Sequence, residues 1–236
     1  MELDLNAFLH AFPFEPGRVN ARLVRGADGR EFLQVRVELG VLQLTCGGRP
    51  DGLPSVLEAV RQAPGGGLDS ATCAAIRLEL GQLQQRAVAF MAVGDAMRAL
   101  ADANAMLEGV DIVGARGPAL DREWAESGRF SVLVLRTRCA AGALVSIGRP
   151  RDAASALDAG LGHLRDAAER IGIGAAFDSL SDVVGLRTLR DTLVPQLPPA
   201  QRTELEERLR AAVRAENYEL AAILRDELRL MERVTD

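Results

Sequence analysis

Between residues 19 and 45 apolar side chains recur at every second position, and from Leu53 onward they recur at every third or fourth. That change of period constrains the fold most, because period two marks a strand with one buried face and period 3.6 a helix with a buried stripe. Val19, Ala21 and Leu23 alternate with other residues up to Arg25, and Gly26-Ala27-Asp28-Gly29 then supplies residues suited to the positive φ of a hairpin turn. Phe32–Leu39 places Leu33, Val35, Val37 and Leu39 on one face against Gln34, Arg36 and Glu38 on the other. Gly40 shifts the phase, which predicts a bulge or bend before Val41–Thr45 resumes with Leu42 and Leu44. The expectation is a small antiparallel sheet of two or three strands, closed by the turn Arg49-Pro50-Asp51-Gly52.

The helical part opens with a short helix over Pro54–Gln62, proline being tolerated in a first turn. Pro64-Gly65-Gly66-Gly67 is the clearest linker, after which Asp69 or Ser70 can cap a long helix to Val93. Gly94-Asp95 breaks it and a second helix runs from Ala96 to Gly109, forming an antiparallel pair. Val110–Gly128, with Gly114, Gly117, Pro118 and Gly128, reads as a longer connection. Further helices are expected over Phe130–Ile147 and Arg151–Ile171, separated by Gly148-Arg149-Pro150, and over Asp182–Leu193. Pro195, Pro198 and Pro199 then mark a boundary.

Only 4% of the residues are aromatic, and abundant alanine lets helices approach closely. Leu83, Ala87, Phe90, Gly94, Ala99 and Ala103 resemble the tetratricopeptide pattern, in which small residues sit where paired helices touch. Ala141, Leu144, Gly148, Ala153 and Leu157 offer a second copy 54 residues on. A standard repeat takes about 34, so an insertion is expected in the connection. Ordinary helical hairpins share this spacing, and both readings stand. A repeat scaffold would present a groove to a partner peptide or helix.

The last segment is more specific. Thr203-Glu204-Leu205-Glu206 has the form of a capping box, and Leu205, Leu209, Ala212 and Val213 follow at helical spacing. Glu204–Arg208 and Glu206–Arg210 are i,i+4 pairs with the acid first, worth about 0.3–0.5 kcal/mol each. Glu216-Asn217-Tyr218 breaks this helix, and a second one from Glu219 carries Leu220, Leu224, Leu228 and Met231 on a stripe beside Ala221 and Ala222. Two amphipathic helices joined by so short a turn pack antiparallel. The run Ala215-Glu216-Asn217-Tyr218-Glu219-Leu220-Ala221-Ala222-Ile223-Leu224-Arg225-Asp226-Glu227-Leu228, with Leu205, Leu209 and Ala212 before it, resembles the UVR motif. That motif occurs in the B and C subunits of the bacterial excision nuclease, in class C Clp ATPases and in the activator of protein arginine kinase.

The resemblance implies a docking element without chemistry of its own. Its partner-binding residues would be Leu205, Leu209, Ala212, Tyr218, Leu220, Ala221, Leu224, Arg225, Asp226 and Leu228. A lone hairpin of about 30 residues buries too little apolar area to be stable unaided. Its stripe must therefore cover the rest of the chain, a second copy of itself, or another protein. The chain departs from the named relatives: no Gly-xxxx-Gly-Lys-Ser/Thr loop is present, Pro64–Leu68 lacks the lysine, and paired Cys-x-x-Cys sites are missing.

No constellation of catalytic type stands out. Cys46, Cys73 and Cys139 are too widely spaced for a disulfide framework or a thiolate metal site, and read as reduced thiols. His10 lies among Phe8, Phe12 and Phe14 and reads as part of an N-terminal anchor, while His163 lies on a helix. Ser127, Ser131 and Ser146 lack a nucleophile-elbow context, and Trp124 reads as a core or interface anchor. Asp102 with Glu108, or Asp111 with Asp121 and Glu123, are the carboxylates that an acid–base site would have to use.

A net charge of −5 disfavours direct nucleic-acid binding. Met1–Glu15 has no signal-peptide character, and no apolar run is long enough for a bilayer. The sequence therefore predicts a mainly α, α+β fold in three regions: a β-rich 1–63, a helical repeat-like 68–197 and a hairpin 200–236. The expected function is that of a cytoplasmic, non-catalytic adaptor without cofactor, metal or membrane contact. It would meet another protein or a second copy of itself in DNA repair or protein quality control, with homo-oligomers within its scope. An enzyme built on scattered carboxylates and a nucleic-acid-binding protein are the alternatives.

Overall fold

Asn20–Arg25 (β1), Glu31–Val37 (β2) and Gly40–Thr45 (β3) form an antiparallel meander in the order β1-β2-β3. The computed structural model describes residues 6–63, 65–193, 199–214 and 217–232, and helices make up the rest of its regular structure. The fold is mainly α with a small N-terminal antiparallel sheet, as the switch of period implies. The expectations for Met1, Pro64, Pro195, Pro198, Ala215 and Glu216 lie outside the described residues, as do those for the side chains of Thr203, Glu204, Glu219 and Met231.

One detail of the sheet differs from expectation. Val37 pairs with Gly40, so Glu38 and Leu39 form a two-residue hairpin turn, the bend between two strands that stood beside the bulge as an expectation. Leu39 is 93% exposed and does not continue the apolar face, because the strand ends two residues before the alternation does. Leu33 and Leu44, with Ala21 and Val35, cover Ala87 and Phe90 of the long helix Ser70–Ala92 (α3). On the opposite face Arg22, Gln34 and Gln43 form a polar rung across all three strands, with bonds of 3.0 and 2.9 Å. The short helix Asn6–Ala11 (α1) closes over that rung, placing the rings of Phe8 and Phe12 5.2 and 4.2 Å from the Arg22 guanidinium. The predicted aromatic anchor is thus in place, while His10 is exposed and meets only its own helix through the Asn6 carbonyl.

Val56–Gln62 (α2) is capped by Ser55, and α3 by Asp69, whose carboxylate accepts from the Thr72 amide at 2.7 Å. Ala96–Arg116 (α4), Ala119–Ser146 (α5), Pro150–Arg170 (α6) and Ser181–Leu193 (α7) follow, with a single 3-10 segment, Gly174–Ser179, before α7. Helices α3, α5 and α6 end alike: Gly94, Gly148 and Gly172 adopt φ between 75° and 83°, and the next amide reaches back five residues. A left-handed residue at that position closes a helix cheaply only as glycine.

The long connection expected over Val110–Gly128 does not exist. Helix α4 continues to Arg116, α5 begins at Ala119, and Gly117-Pro118 alone turns the chain. Within that stretch glycine serves close packing. A Cβ on Gly117 would lie 2.7 Å from the Val113 carbonyl oxygen and 3.3 Å from the Cys73 sulfur, and one on neighbouring Gly109 would lie 2.6 Å from Leu80. Val110, Val113 and Ala125 are buried, which holds the extra turns in place. The 54-residue spacing between the two hairpins is therefore taken up by helix length.

Each helix from α3 to α7 packs on the next, and α3 also touches α5, and α5 touches α7. Odd-numbered helices thus share one side of the array. The sheet is tied to the array by Arg86, which is buried on α3. Its guanidinium grips Asp102 of α4 with two bonds of 2.8 and 2.7 Å and donates to the Thr45 and Gly48 carbonyls beyond β3. Burial pushes the Asp102 carboxyl above its usual range, against the opposing pull of Arg86. Glu79, also buried on α3, accepts from the Ser55 hydroxyl and the Val56 and Leu57 amides, so it fixes the start of α2.

Candidate functional site

Pro199–Arg214 (α8) and Tyr218–Glu232 (α9) form the C-terminal hairpin. Helix α8 starts four residues before Thr203, so Thr203 stands inside a helix and the expected capping box does not form its beginning. The proline at position 199 supplies the helical φ at the first position instead. At the other end Asn217 has two roles: its amide returns to the Ala212 carbonyl at 2.9 Å, closing α8, and its side chain accepts from the Leu220 amide at 3.1 Å, capping α9. The second helix therefore begins at Tyr218, one residue earlier than the expected Glu219.

The ten residues singled out by the sequence separate into two groups here. Leu205, Ala212, Ala221, Leu224 and Leu228 are buried, with Leu209 packed against them, in a core that among the described residues is formed by α8 and α9 alone. Leu224, at its centre, is 2% exposed. Tyr218, Leu220, Arg225 and Asp226 are exposed, Tyr218 to 69%. Among the described residues no element of the body packs extensively against either helix. Arg225 and Asp226 approach at 3.7 Å with both side chains more than half exposed, and such a pair contributes little to stability. Glu206 and Arg210 meet at 3.5 Å, as their spacing predicts.

Val213, which the sequence analysis placed on the stripe with Ala212, and Ile223, which it did not single out, are large, apolar and exposed. Each lies next in sequence to a buried core residue, Ala212 or Leu224, so the period that marks the inner stripe places them off it. An apolar residue beside a complete helical stripe is the signal that finds them. The hairpin can thus close its own small core and still turn Val213, Tyr218, Leu220 and Ile223 to its outside.

Elsewhere the carboxylates considered for acid–base work are separated. Asp102 faces Arg86, while Glu108, on another side of α4, binds Arg61 of α2 at 2.6 Å, which lowers its carboxyl below the usual range. Asp111 pairs with Arg129 at 2.5 Å, and Asp121 with Arg77 at 3.0 Å and the Ser70 hydroxyl at 3.1 Å. Glu123 is exposed on α5. Arg77 also lies 5.3 Å from the ring of half-buried Trp124. His163 is exposed on α6, and Ser127 and Ser146 donate to carbonyls of their own helix. Among the described residues no cluster of His, Cys, Asp and Glu could hold a metal ion, and no helix is long and apolar enough to cross a membrane.

Fold and site together define a helical protein with a small sheet at its head and a self-closed helical hairpin at its end. Residues 200–234, which contain that hairpin, match the family model of the UvrB/uvrC motif, UVR. No curated protein and no solved structure matches the chain.

Proposed function

We infer that the chain is a non-catalytic adaptor that docks a partner protein through the hairpin α8–α9. One observation carries this reading: a segment matching the UvrB/uvrC motif closes its leucine core yet keeps Tyr218, Leu220, Ile223 and Val213 exposed. Apolar side chains left exposed on a marginally stable element gain most from being covered by another surface. The two stacked helical hairpins of the body serve as a tetratricopeptide-like scaffold. The pairing of Asp102, Glu108, Asp111 and Asp121, four of the five candidate carboxylates, with arginines supports a structural role for those groups. The motif's occurrence in excision-nuclease subunits and Clp ATPases supports a place in bacterial DNA repair or protein quality control, in the cytoplasm.

The test is co-purification from the native host with the full chain and with a chain ending at residue 198. A partner retained only by the full chain is expected. Identical partner sets for the two forms would remove the hairpin from the account.

A further inference from the structure

Four shallow depressions on the helical body share walls and form one groove. The first lies between α3, α4 and α5, beside Arg77, Trp124 and Ser131. Gly81 and Gln84 are common to it and to the second, which Val35, Val37 and Leu42 of the sheet overhang. Val19 and Val88 lead on to the third, and Met91 and Arg138 to the fourth, which reaches Gly185 and Leu189 of α7. The floor is the side of the array that α3, α5 and α7 share. From Arg77 to Ala92 the groove follows α3 for about 22 Å, the length of about 15 residues of helix or about 7 of extended chain.

Its chemistry is one-sided. Val19, Val37, Leu42 and Val145 are exposed large apolar residues, and all four line this groove. Among the described residues no carboxylate lines any of the four depressions, although the chain carries 33 Asp and Glu. Three arginines do. Arg18 is bound to Glu15 and Arg77 to Asp121. Arg138, where the third and fourth depressions meet, has no hydrogen-bond or ion-pair partner among the described residues. Its guanidinium lies across Gly185 of α7, where a Cβ would come 3.1 Å from Nη2. An uncovered apolar wall around one free cation and no anion is complementary to an apolar segment bearing a carboxylate. A nucleic-acid strand needs several free cations along its track, and the groove provides one.

We propose that the α3–α5–α7 groove binds an acidic amphipathic peptide segment of another protein, with a carboxylate on Arg138 and apolar side chains against Val19, Val37, Leu42 and Val145. The proposal rests on the adaptor reading and adds a second surface, with a ligand chemistry, that is separate from the hairpin.

The test uses the full chain and fluorescein-labelled amphipathic peptides of about 15 residues, built from Leu, Val and Ala with a face of Asp and Glu. A second set replaces the acids by Asn and Gln, and a third by Lys; fluorescence anisotropy reads binding. The acidic set is expected to bind at least about 10-fold more tightly than its amide counterpart, the scale of one charge-assisted contact. Arg138→Glu removes that advantage, Arg138→Lys keeps most of it, and Leu42→Gln weakens both the acidic and amide sets. Arg138 is exposed, so an unchanged melting temperature confirms that the variant is folded. Equal binding of acidic and amide sets, indifference to Arg138→Glu, or no binding of the acidic set overturns the proposal. So does tighter binding of a single-stranded oligonucleotide, or loss of self-association on Arg138→Glu, which would give the groove a different occupant. Hairpin-dependent partner capture that survives a failure here spares the adaptor reading; peptide binding without such capture does the reverse.

Discussion

The helical body and the terminal hairpin are built from the same materials, Leu and Ala at helical spacing, and use them differently. In the body each helix from α3 to α7 packs against more than one other element, and buried charges have fixed partners: Arg86 on Asp102, and Glu79 on the start of α2. In the hairpin the buried set is Leu205, Ala212, Ala221, Leu224 and Leu228 with Leu209, every member from α8 or α9. The first arrangement gains from many surfaces at once. The second has a single apolar seam, and an element of that size is marginal in water. A marginal element is stabilised by whatever covers it in the folded state, so its order and its binding are linked. Among the described residues the body takes no extensive contact from the hairpin, so the body's transition is expected to be independent of it.

The strongest way to break the comparison is to remove a charge from the body's interior. Asp102→Ala leaves the Arg86 guanidinium buried without its carboxylate, and uncompensated buried charges cost about 3–5 kcal/mol. The body's thermal transition should fall sharply, with Asp102→Asn falling less because an amide oxygen still accepts. A melt of Asp102→Ala that overlays the parent would mean that the pair contributes nothing to the platform. Next in size is Leu224→Ala, a truncation in the hairpin's seam that costs about 2–4 kcal/mol where a core residue is lost. Far-ultraviolet circular dichroism should lose the helix content of α8 and α9 at low temperature, while the main transition stays in place. A shift of that main transition would show that hairpin and body unfold together.

The alternation of Leu33 and Val35, the caps at Asp69 and Gly94, and the stripe Leu205–Leu209–Ala212 are local signals, and each is readable because neighbours in sequence decide it. The turn at Val110–Gly128 misleads because glycine has two uses. Gly114 and Gly128 resemble breakers in a string of letters, but both lie inside long helices, Gly114 in α4 and Gly128 in α5. The buried pair of Arg86 and Asp102 is also out of reach, since 16 positions separate two residues whose types are common on helix surfaces. For the candidate site, the leucine periodicity predicts an adhesive seam but not that the hairpin would seal it against itself. That requires knowing which of two equally apolar surfaces is nearer. Arg138 carries no local mark at all; its place in a groove follows only from how α3, α5 and α7 assemble.

A smaller effect sharpens the contrast through pH. Burial holds the Cys139 thiol up at about 11, against an ordinary value of 9.0, with the Asp102 charge adding to the shift. The native state therefore keeps its proton where the unfolded chain has lost it. Stability from this source is complete below pH 9 and declines as pH rises towards 11, by at most about 1.4 kcal/mol per pH unit. The chain contains no lysine, so cysteines carry much of the titration in that window, and Cys46 and Cys73 are raised by burial as well. Urea titrations at pH 8, 9 and 10 should show the decline, and Cys139→Ala should make it shallower. The hairpin has no cysteine, and its helix signal should not follow this slope.

The smallest expected change in stability is also the most informative about function. Tyr218 is 69% and Ile223 59% exposed on α9, away from the seam that Ala221, Leu224 and Leu228 occupy. Substitutions at exposed positions of this kind usually alter stability by less than about 0.5 kcal/mol. Tyr218→Ala together with Ile223→Asp should therefore leave both the main transition and the hairpin's helix content nearly unchanged. If these side chains are what a partner covers, the same pair of substitutions removes partner capture as completely as deleting residues 199–236 does. Leu224→Ala would also reduce capture, but by loosening the hairpin, and adding partner in excess should restore both helix and complex. The outward pair cannot be rescued in that way, because the lost surface belongs to the contact itself. Capture that persists with both outward residues changed, and disappears only when Leu224 is truncated, would place the contact on the seam and require the hairpin to open before it binds.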